Sequence, residues 1–339
     1  MTKVLVVTPA FHGYGDSIGN ALRRRGHDVT VHAYDAHVGA WQKARHKLAV
    51  ELPEKMLGRL GADRTASAAR RATETTLELY AEIRPDVVLV IRGDLFEPRF
   101  WDRLEESGRP FVVWLYDEVR RMSHDVATLA RASAVTSYSP LDVRWLREQG
   151  IDAHHLANAF DRDRQVVRPM MRRDEVSFVG ARYPDREQTL VALHEADVPV
   201  RAYGRDWSRH PVDRLRTWGW HRPAVPAERD VDRDTAYAVM AASAATLSMH
   251  TDQDGFAMRT FEACGSGAVQ LIDRPDLAGL YDAGVELATW ETFEELLELC
   301  ARARVDLAWA QGLREAGRRR TLAEHTFDHR VRVVEQLWG

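Results

Sequence analysis

The chain has 339 residues, long enough for two domains of ordinary size, each with its own core. Its 47 basic and 51 acidic residues leave a formal charge of −4, so no global excess draws it to nucleic acid or to anionic lipid. Its two cysteines, Cys264 and Cys300, lack a C-x-x-C partner, which excludes a disulfide framework or a zinc site, and no apolar run is long enough for a spanning helix.

KVLVVT (3–8) is a nearly all-apolar run that ends in the glycine-bearing turn FHGYGDSIG and leads into a helix through Arg25, as a buried parallel strand does when it opens a strand–helix–strand unit. That apolar run is also too short for a signal peptide, and a cytoplasmic protein is expected. DVTVHAY (28–34) is the next strand. A charge-rich stretch over roughly 40–83 reads as helical, and DVVLVI (86–91), PFVVWLY (110–116), SAVTSY (133–138) and IDAHHL (151–156) follow with helical segments between them. This alternation specifies an α/β fold with a doubly wound parallel sheet. ANAFDRDRQVVRPMMRRD (157–174) breaks the pattern with polar and charged residues and a proline, which places an interdomain linker there. A second series comprises EVSFVG (175–180), a helix over 184–196, VPVRAYG (198–204), a tryptophan- and proline-rich segment and a helix over 232–243. It continues through 244–272 and helices over 291–303 and 305–322, and EHTFDHRVRVVEQLW closes the chain as an amphipathic helix. The expected domains are 1–160 and 175–322, with a linker over 161–174 and a terminal helix over 323–339. Two similar halves put a cleft between them.

Residues 244–272 carry the densest chemistry. AATLSM is of strand length, His250 to Gly255 is a turn-rich polar break, Phe256 to Cys264 forms a helix that Gly265 ends, and GAVQLI resumes the sheet. Ligands of such sheets bind beyond the carboxyl ends of the strands, where His250 to Asp254 fall. Asp254 and Glu262 are separated by seven residues, with Arg259 one turn before Glu262. An acid, a guanidinium and a helix N-terminus suit a ligand with hydroxyls and phosphates, because carboxylates accept from a ribose while Arg and free N–H groups bind a diphosphate. Gly180 closes a strand ahead of Arg182 and Arg186, a second place for N–H groups and guanidiniums to converge on phosphate. In the first half, His12, Gly13 and Gly15 follow the first strand, where glycines permit tight turning, and Asp117 ends VVWLYD.

The run DGFAMRTFEACGSGAVQL resembles the donor-binding segment of GT-B glycosyltransferases, in particular the CgeB-like (spore-maturation-type) ones. SFVGARYPDREQTL, RAYGRDW and EHTFDHRV look like the same family, so the resemblance covers most of the second half, and the first half shares the layout. It implies a GT-B fold: two Rossmann-like doubly wound parallel-sheet domains facing across a cleft, with the terminal helix crossing back to the first. It also implies a glycosyltransferase, of hexosyltransferase type, taking a sugar from a nucleotide-diphosphate sugar on the second domain to an acceptor on the first, with no permanently bound cofactor.

By the same resemblance Asp254 and Glu262 match the acid-x7-acid donor motif, with Asp in place of the commoner first Glu. Glu262 would hold the donor ribose, Arg259 the diphosphate and Asp254 the transferred sugar. Gly255, Phe256, Thr260, His250, Gly180, Arg182 and Arg186 complete the donor set, and Trp218, Trp220 and His221 lie where the nucleobase pocket falls. Gly13, Tyr14 and Gly15 form the cleft loop on the acceptor side; His12 takes the general-base position of related inverting enzymes, with Asp117 to orient it. The acid motif leans toward retention, whereas a working His12 and Asp117 would mean inversion.

The D-x-D pattern of metal-dependent transferases occurs as DRD (161–163 and 232–234) and DQD (252–254), in the linker, at a helix start and inside the motif already assigned, so no metal is expected. The expected partners are a UDP-, dTDP- or GDP-sugar and an acceptor that is a natural product, a polysaccharide or a protein. A different class stays open: GYGDSIG gives G-x-G-x-x-x-G after the first strand, with Asp35 at the end of the second, the pattern of an NAD(P)-dependent oxidoreductase. A non-catalytic nucleotide-sugar-binding protein is the third reading.

Overall fold

A computed structural model describes residues 1–36, 58–164, 170–217 and 219–338. The first part of the helical stretch expected from residue 40, part of the expected linker and Trp218 lie outside the described residues.

The chain divides into two compact units, Met1–Ala157 with Phe327–Gly339, and Asn158–Thr326. In the first, β1 (Lys3–Thr8), β2 (Asp28–Ala33), β3 (Val87–Ile91), β4 (Phe111–Leu115), β5 (Ala134–Ser137) and β6 (Ala153–His155) pair in parallel in the order β2-β1-β3-β4-β5-β6. Helices α1 (Tyr14–Arg24), α2 (Gly58–Ile83), α3 (Pro98–Glu106), α4 (Val126–Leu129) and α5 (Pro140–Glu148) link them. Strands covered on both faces read as unbroken apolar runs, and Val88, Val90, Val113 and Leu115 pack with Phe96, Phe100 and Trp101 in this unit's core. The terminal helix, Phe327–Glu335, joins α1 through ion pairs of Arg24 with Asp328 and of Arg25 with Glu335.

In the second unit, β7 (Val176–Val179), β8 (Val200–Tyr203), β9 (Ala227–Glu228), β10 (Ala245–Ser248), β11 (Gln270–Ile272) and β12 (Ala288–Thr289) run parallel in the order β9-β8-β7-β10-β11-β12. They alternate with α6 (Pro184–Glu195), α7 (Pro211–Thr217), α8 (Arg233–Ala242), α9 (Met258–Ser266), α10 (Phe293–Val305) and α11 (Leu307–Glu324). Phe178, Leu190, Trp207, Leu247, Leu271 and Leu313 fill its core.

Both sheets reverse direction once, between β1 and β3 and between β7 and β10. At such a switch point the crossovers leave on opposite faces and open a crevice beyond the carboxyl ends of the two strands. His12 (φ 48°), Arg92 (φ 59°) and Thr251 (φ 54°) follow β1, β3 and β10 in the left-handed region, which non-glycine residues hold only where the surroundings enforce it. Thus three of the four loops at the switch points carry backbone strain.

Some boundaries differ from the sequence pattern. α9 starts at Met258 rather than Phe256 and runs through Gly265 to Ser266, where Gly267 (φ 81°) caps it. Gly265 serves close approach instead of termination: a Cβ there would collide with the ring of Phe160. α10 and α11 start two residues late because Thr292 and Asp306 cap them, accepting from the N–H groups of Glu295 and Trp309. The chain beyond Glu324 turns through His325 and Thr326 before the last helix. Residues 158–161 go with the second unit, since the Phe160 N–H donates to the His325 carbonyl (2.8 Å) and Asp161 pairs with Arg233 of α8 (2.8 Å). Among the described residues no helix is long and apolar enough to cross a membrane.

Overpacking at Gly265 gives a direct test of the seam between Phe160 and α9. Gly265→Ala should lower the unfolding free energy by about 1–3 kcal/mol in urea titration, whereas an unchanged midpoint would show that Phe160 yields freely.

Candidate functional site

The second unit's switch point gathers the loop after β7, the loop after β10, the first turns of α9 and the residues after β11. His250, 2% exposed, is fixed from two sides by Asp273 of the loop after β11: its backbone N–H donates to Oδ2 (2.7 Å) and its Nδ1 lies 2.8 Å from Oδ1. A carboxylate only accepts, so Nδ1 carries the hydrogen and Nε2 is the acceptor for the Thr260 hydroxyl at 3.2 Å. Burial holds the His250 pKa below the usual histidine range, outweighing the hydrogen bond that the ring donates to Asp273, and the ring is neutral at pH 7. His250 is therefore a buried post between two loops and α9. Its Thr260 partner, also fully buried, stands in the first turn of that helix.

No side chain caps the N-terminus of α9, and its first turn holds no acid. Arg259 in that turn is 29% exposed and donates from Nη1 to Glu262 Oε2 at 2.5 Å. Glu262 has no exposed surface, and its Oε1 accepts from the Tyr237 hydroxyl of α8 at 3.0 Å. The loop leading into α9 is held by backbone contacts: Arg274 Nη1 donates to the Asp254 carbonyl (2.9 Å) with its guanidinium over the Phe256 ring, and Asn158 Nδ2 donates to the Phe256 carbonyl (2.9 Å). Gly255 and Phe256 are buried within it.

After β7, the Gly180 carbonyl accepts from the Trp207 indole (2.9 Å). Arg186 donates from Nε and Nη2 to the Met249 carbonyl at the end of β10 (3.1 and 2.5 Å), stacked near Phe178 and Tyr183. That guanidinium ties the start of α6 to the residue that follows β10. Arg182 pairs with Glu187 (2.7 Å) and donates to the His221 carbonyl (3.2 Å), while Trp220 beside it is 69% exposed.

In the first unit, His12 is exposed with its ring edge-on to Phe11, and Gly13 (φ 70°) caps α1. Tyr14 is buried near Tyr116 and Phe327. Asp117 accepts from the N–H of Glu118 (3.0 Å). At the neighbouring strand end Arg92 makes a two-pronged contact with Asp94 (both 3.2 Å). Gly15 and Gly19 of GYGDSIG serve packing: a Cβ on Gly15 would collide with Thr8, and one on Gly19 with Val31. Asp35 accepts from the Ala10 N–H at 2.5 Å, so this carboxylate braces the β1 loop.

Residues 162–336 match the model of a family described as glycosyl transferase-like, just over half of the chain. The chain belongs to that family. It is a glycosyltransferase, and its two six-stranded parallel sheets form the two-domain, Rossmann-like GT-B fold. Sucrose-phosphate synthase from Thermosynechococcus elongatus is similar over 100% of this chain and 98% of its own (13% identity, TM-score 0.65). HepE (Alr3699) of Anabaena, solved with UDP-glucose, is similar over 99% and 98% (14%, 0.61). AviGT4, a glycosyltransferase of avilamycin A biosynthesis, covers 99% and 97% (16%, 0.59). No curated protein sequence matches the transferase.

Four residues of the site escaped sequence reasoning: Asp273, Tyr237, Arg274 and Asn158. Asp273 had a signal, as the first polar residue after the apolar run GAVQLI; Tyr237 had none, since its partner is on another helix. The environment of His250 predicts a pH effect. Its folded pKa lies below the unfolded value of about 6.5, so the unfolded chain holds more protons in that window and stability falls as pH drops through it. His250→Gln should lose less stability than wild type between about pH 7.5 and 5.5 in denaturant titrations. His32, His124 and His155, which burial also lowers, contribute to the slope that remains. Equal slopes would mean that His250 titrates as in water.

Proposed function

We propose that the transferase moves a sugar from a nucleoside-diphosphate sugar held at the switch point of the second unit to an acceptor taken by the corresponding edge of the first. The observation that carries this reading is the Arg259–Glu262 pair in the first turns of an uncapped helix at that switch point. A guanidinium and the positive end of a helix dipole supply positive charge where a diphosphate leaves, and a carboxylate one turn on accepts from a ribose. Charge developing on the leaving diphosphate would be met by Arg259 and the α9 N-terminus, so transfer is metal-independent. Asp254, whose carbonyl Arg274 holds, takes the sugar; Trp220 and His221, in the loop that Arg182 grips, take the base. In the first unit His12, Arg92 and Asp117 face the acceptor, and the left-handed backbone at His12 and Arg92 supports that placement.

The bound UDP-glucose of HepE makes a uridine donor the first to test, the avilamycin role of AviGT4 favours a natural-product acceptor, and the second-half motifs favour the CgeB-like subgroup.

Release of nucleoside diphosphate from UDP-, dTDP- and GDP-sugars measures the activity. Arg259→Ala should lower kcat/KM at least about a hundredfold, the scale of losing one transition-state charge contact, and should abolish stabilisation of the fold by the matching nucleoside diphosphate. Wild-type turnover in Arg259→Ala would overturn the assignment. A chelator should leave the rate unchanged; loss of activity restored by a divalent cation would refute metal independence.

A further inference from the structure

Two of the contacts that Glu262 makes are unlike. Its Oε2 partner, Arg259, is on the same helix one turn earlier and reaches the surface; its Oε1 partner, Tyr237, is on α8 with no exposed surface and its ring packed 5.4 Å from that of Phe160. A long, partly exposed guanidinium can exchange partners, whereas a packed tyrosine cannot leave its rotamer without opening the core. From this asymmetry we infer that Tyr237 is a positioning residue of the donor site: it holds Glu262 Oε1 so that Oε2 is the oxygen released to a ribose hydroxyl when Arg259 turns to the diphosphate. The inference rests on the donor-site reading above.

The hydroxyl matters because of what the carboxylate would otherwise do. Freed from Tyr237, it could rotate to offer both oxygens to Arg259, and a bidentate guanidinium–carboxylate pair is stronger than a single contact. Arg259 would then be withheld from the diphosphate and the carboxylate from the ribose. Each oxygen of an ionised carboxylate has more than one acceptor site, so Tyr237 and a ribose do not compete.

The test is nucleotide binding by calorimetry, with UDP, GDP and dTDP beside their 2′,3′-dideoxy forms. Wild type should bind its preferred nucleotide about tenfold or more tightly than the dideoxy form, the scale of a hydrogen bond to a charged group. Tyr237→Phe keeps the ring and removes the hydroxyl. It should weaken the hydroxyl-bearing nucleotide about tenfold and the dideoxy form by no more than about twofold. In a Glu262→Ala background the same substitution should have no further effect, because it acts through that carboxylate. Equal weakening of both nucleotides, or full additivity with Glu262→Ala, would overturn the inference as a general packing defect. Glu262→Asp provides a second route that leaves Tyr237 in place: it keeps the charge but draws the carboxylate back from the hydroxyl. It should reproduce the selective loss, and a wild-type ribose preference in it would also overturn the inference. If wild type binds none of the three diphosphates, the donor-site reading itself fails and takes this inference with it. If wild type discriminates and Tyr237→Phe discriminates equally well, only the role of Tyr237 is lost.

Discussion

A carboxylate without exposed surface has to be paired, and the arrangement around Glu262 follows from that requirement. Removing an ionised carboxyl from water costs several kcal/mol even in a relaxed protein interior, and one partner seldom offsets it. Glu262 has contacts from two helices, Tyr237 of α8 and Arg259 of α9. The pairing therefore fixes how the two helices lie against each other, and it sets the guanidinium of Arg259 in the first turn of α9, where the helix dipole is also positive. One buried charge thus couples core packing to the anion-attracting end of a helix.

The loop that feeds α9 is held with comparable thoroughness. Asp273 takes both the backbone N–H and the ring of His250, Arg186 ties the Met249 carbonyl just after β10 to α6, and Arg274 and Asn158 hold the carbonyls of Asp254 and Phe256. Thr251, a β-branched residue in the left-handed region, sits among these contacts. Such a conformation persists only when its neighbours over-determine it, which several charged side chains binding main-chain atoms can do. Four side chains thus hold the main chain around one loop at the point where strand order reverses.

The first unit repeats the logic with different chemistry. Its strand order also reverses once, and the loops after β1 and β3 carry His12 and Arg92 in strained conformations. This edge carries the Arg92–Asp94 contact and the exposed ring of His12. The second unit's edge is built around a buried carboxylate and the charged side chains that hold its loop.

Much of this was legible in the sequence, for definite reasons. Unbroken apolar runs such as KVLVVT and DVVLVI can only be strands covered on both faces, and their alternation with helical segments specifies a doubly wound α/β chain before any contact is known. The spacing of Arg259 and Glu262 puts them one turn apart on any helix, and the pair appears there. What the sequence could not supply was every relation across elements. Gly265 looks like a helix terminator until the ring of Phe160, over a hundred positions away in the chain, is seen pressed against it. Asp35 looks like a ribose ligand until it is found on the N–H of Ala10, and His250 looks like a ligand-facing residue until Asp273 and Thr260 enclose it. Local periodicity determines which segments become strands and helices because it depends on neighbours three or four positions apart. Strand order, and with it which carboxylate is buried and which guanidinium faces solvent, was decided only by packing between distant segments, because a side chain's exposure belongs to the assembled surface and not to its place in the chain.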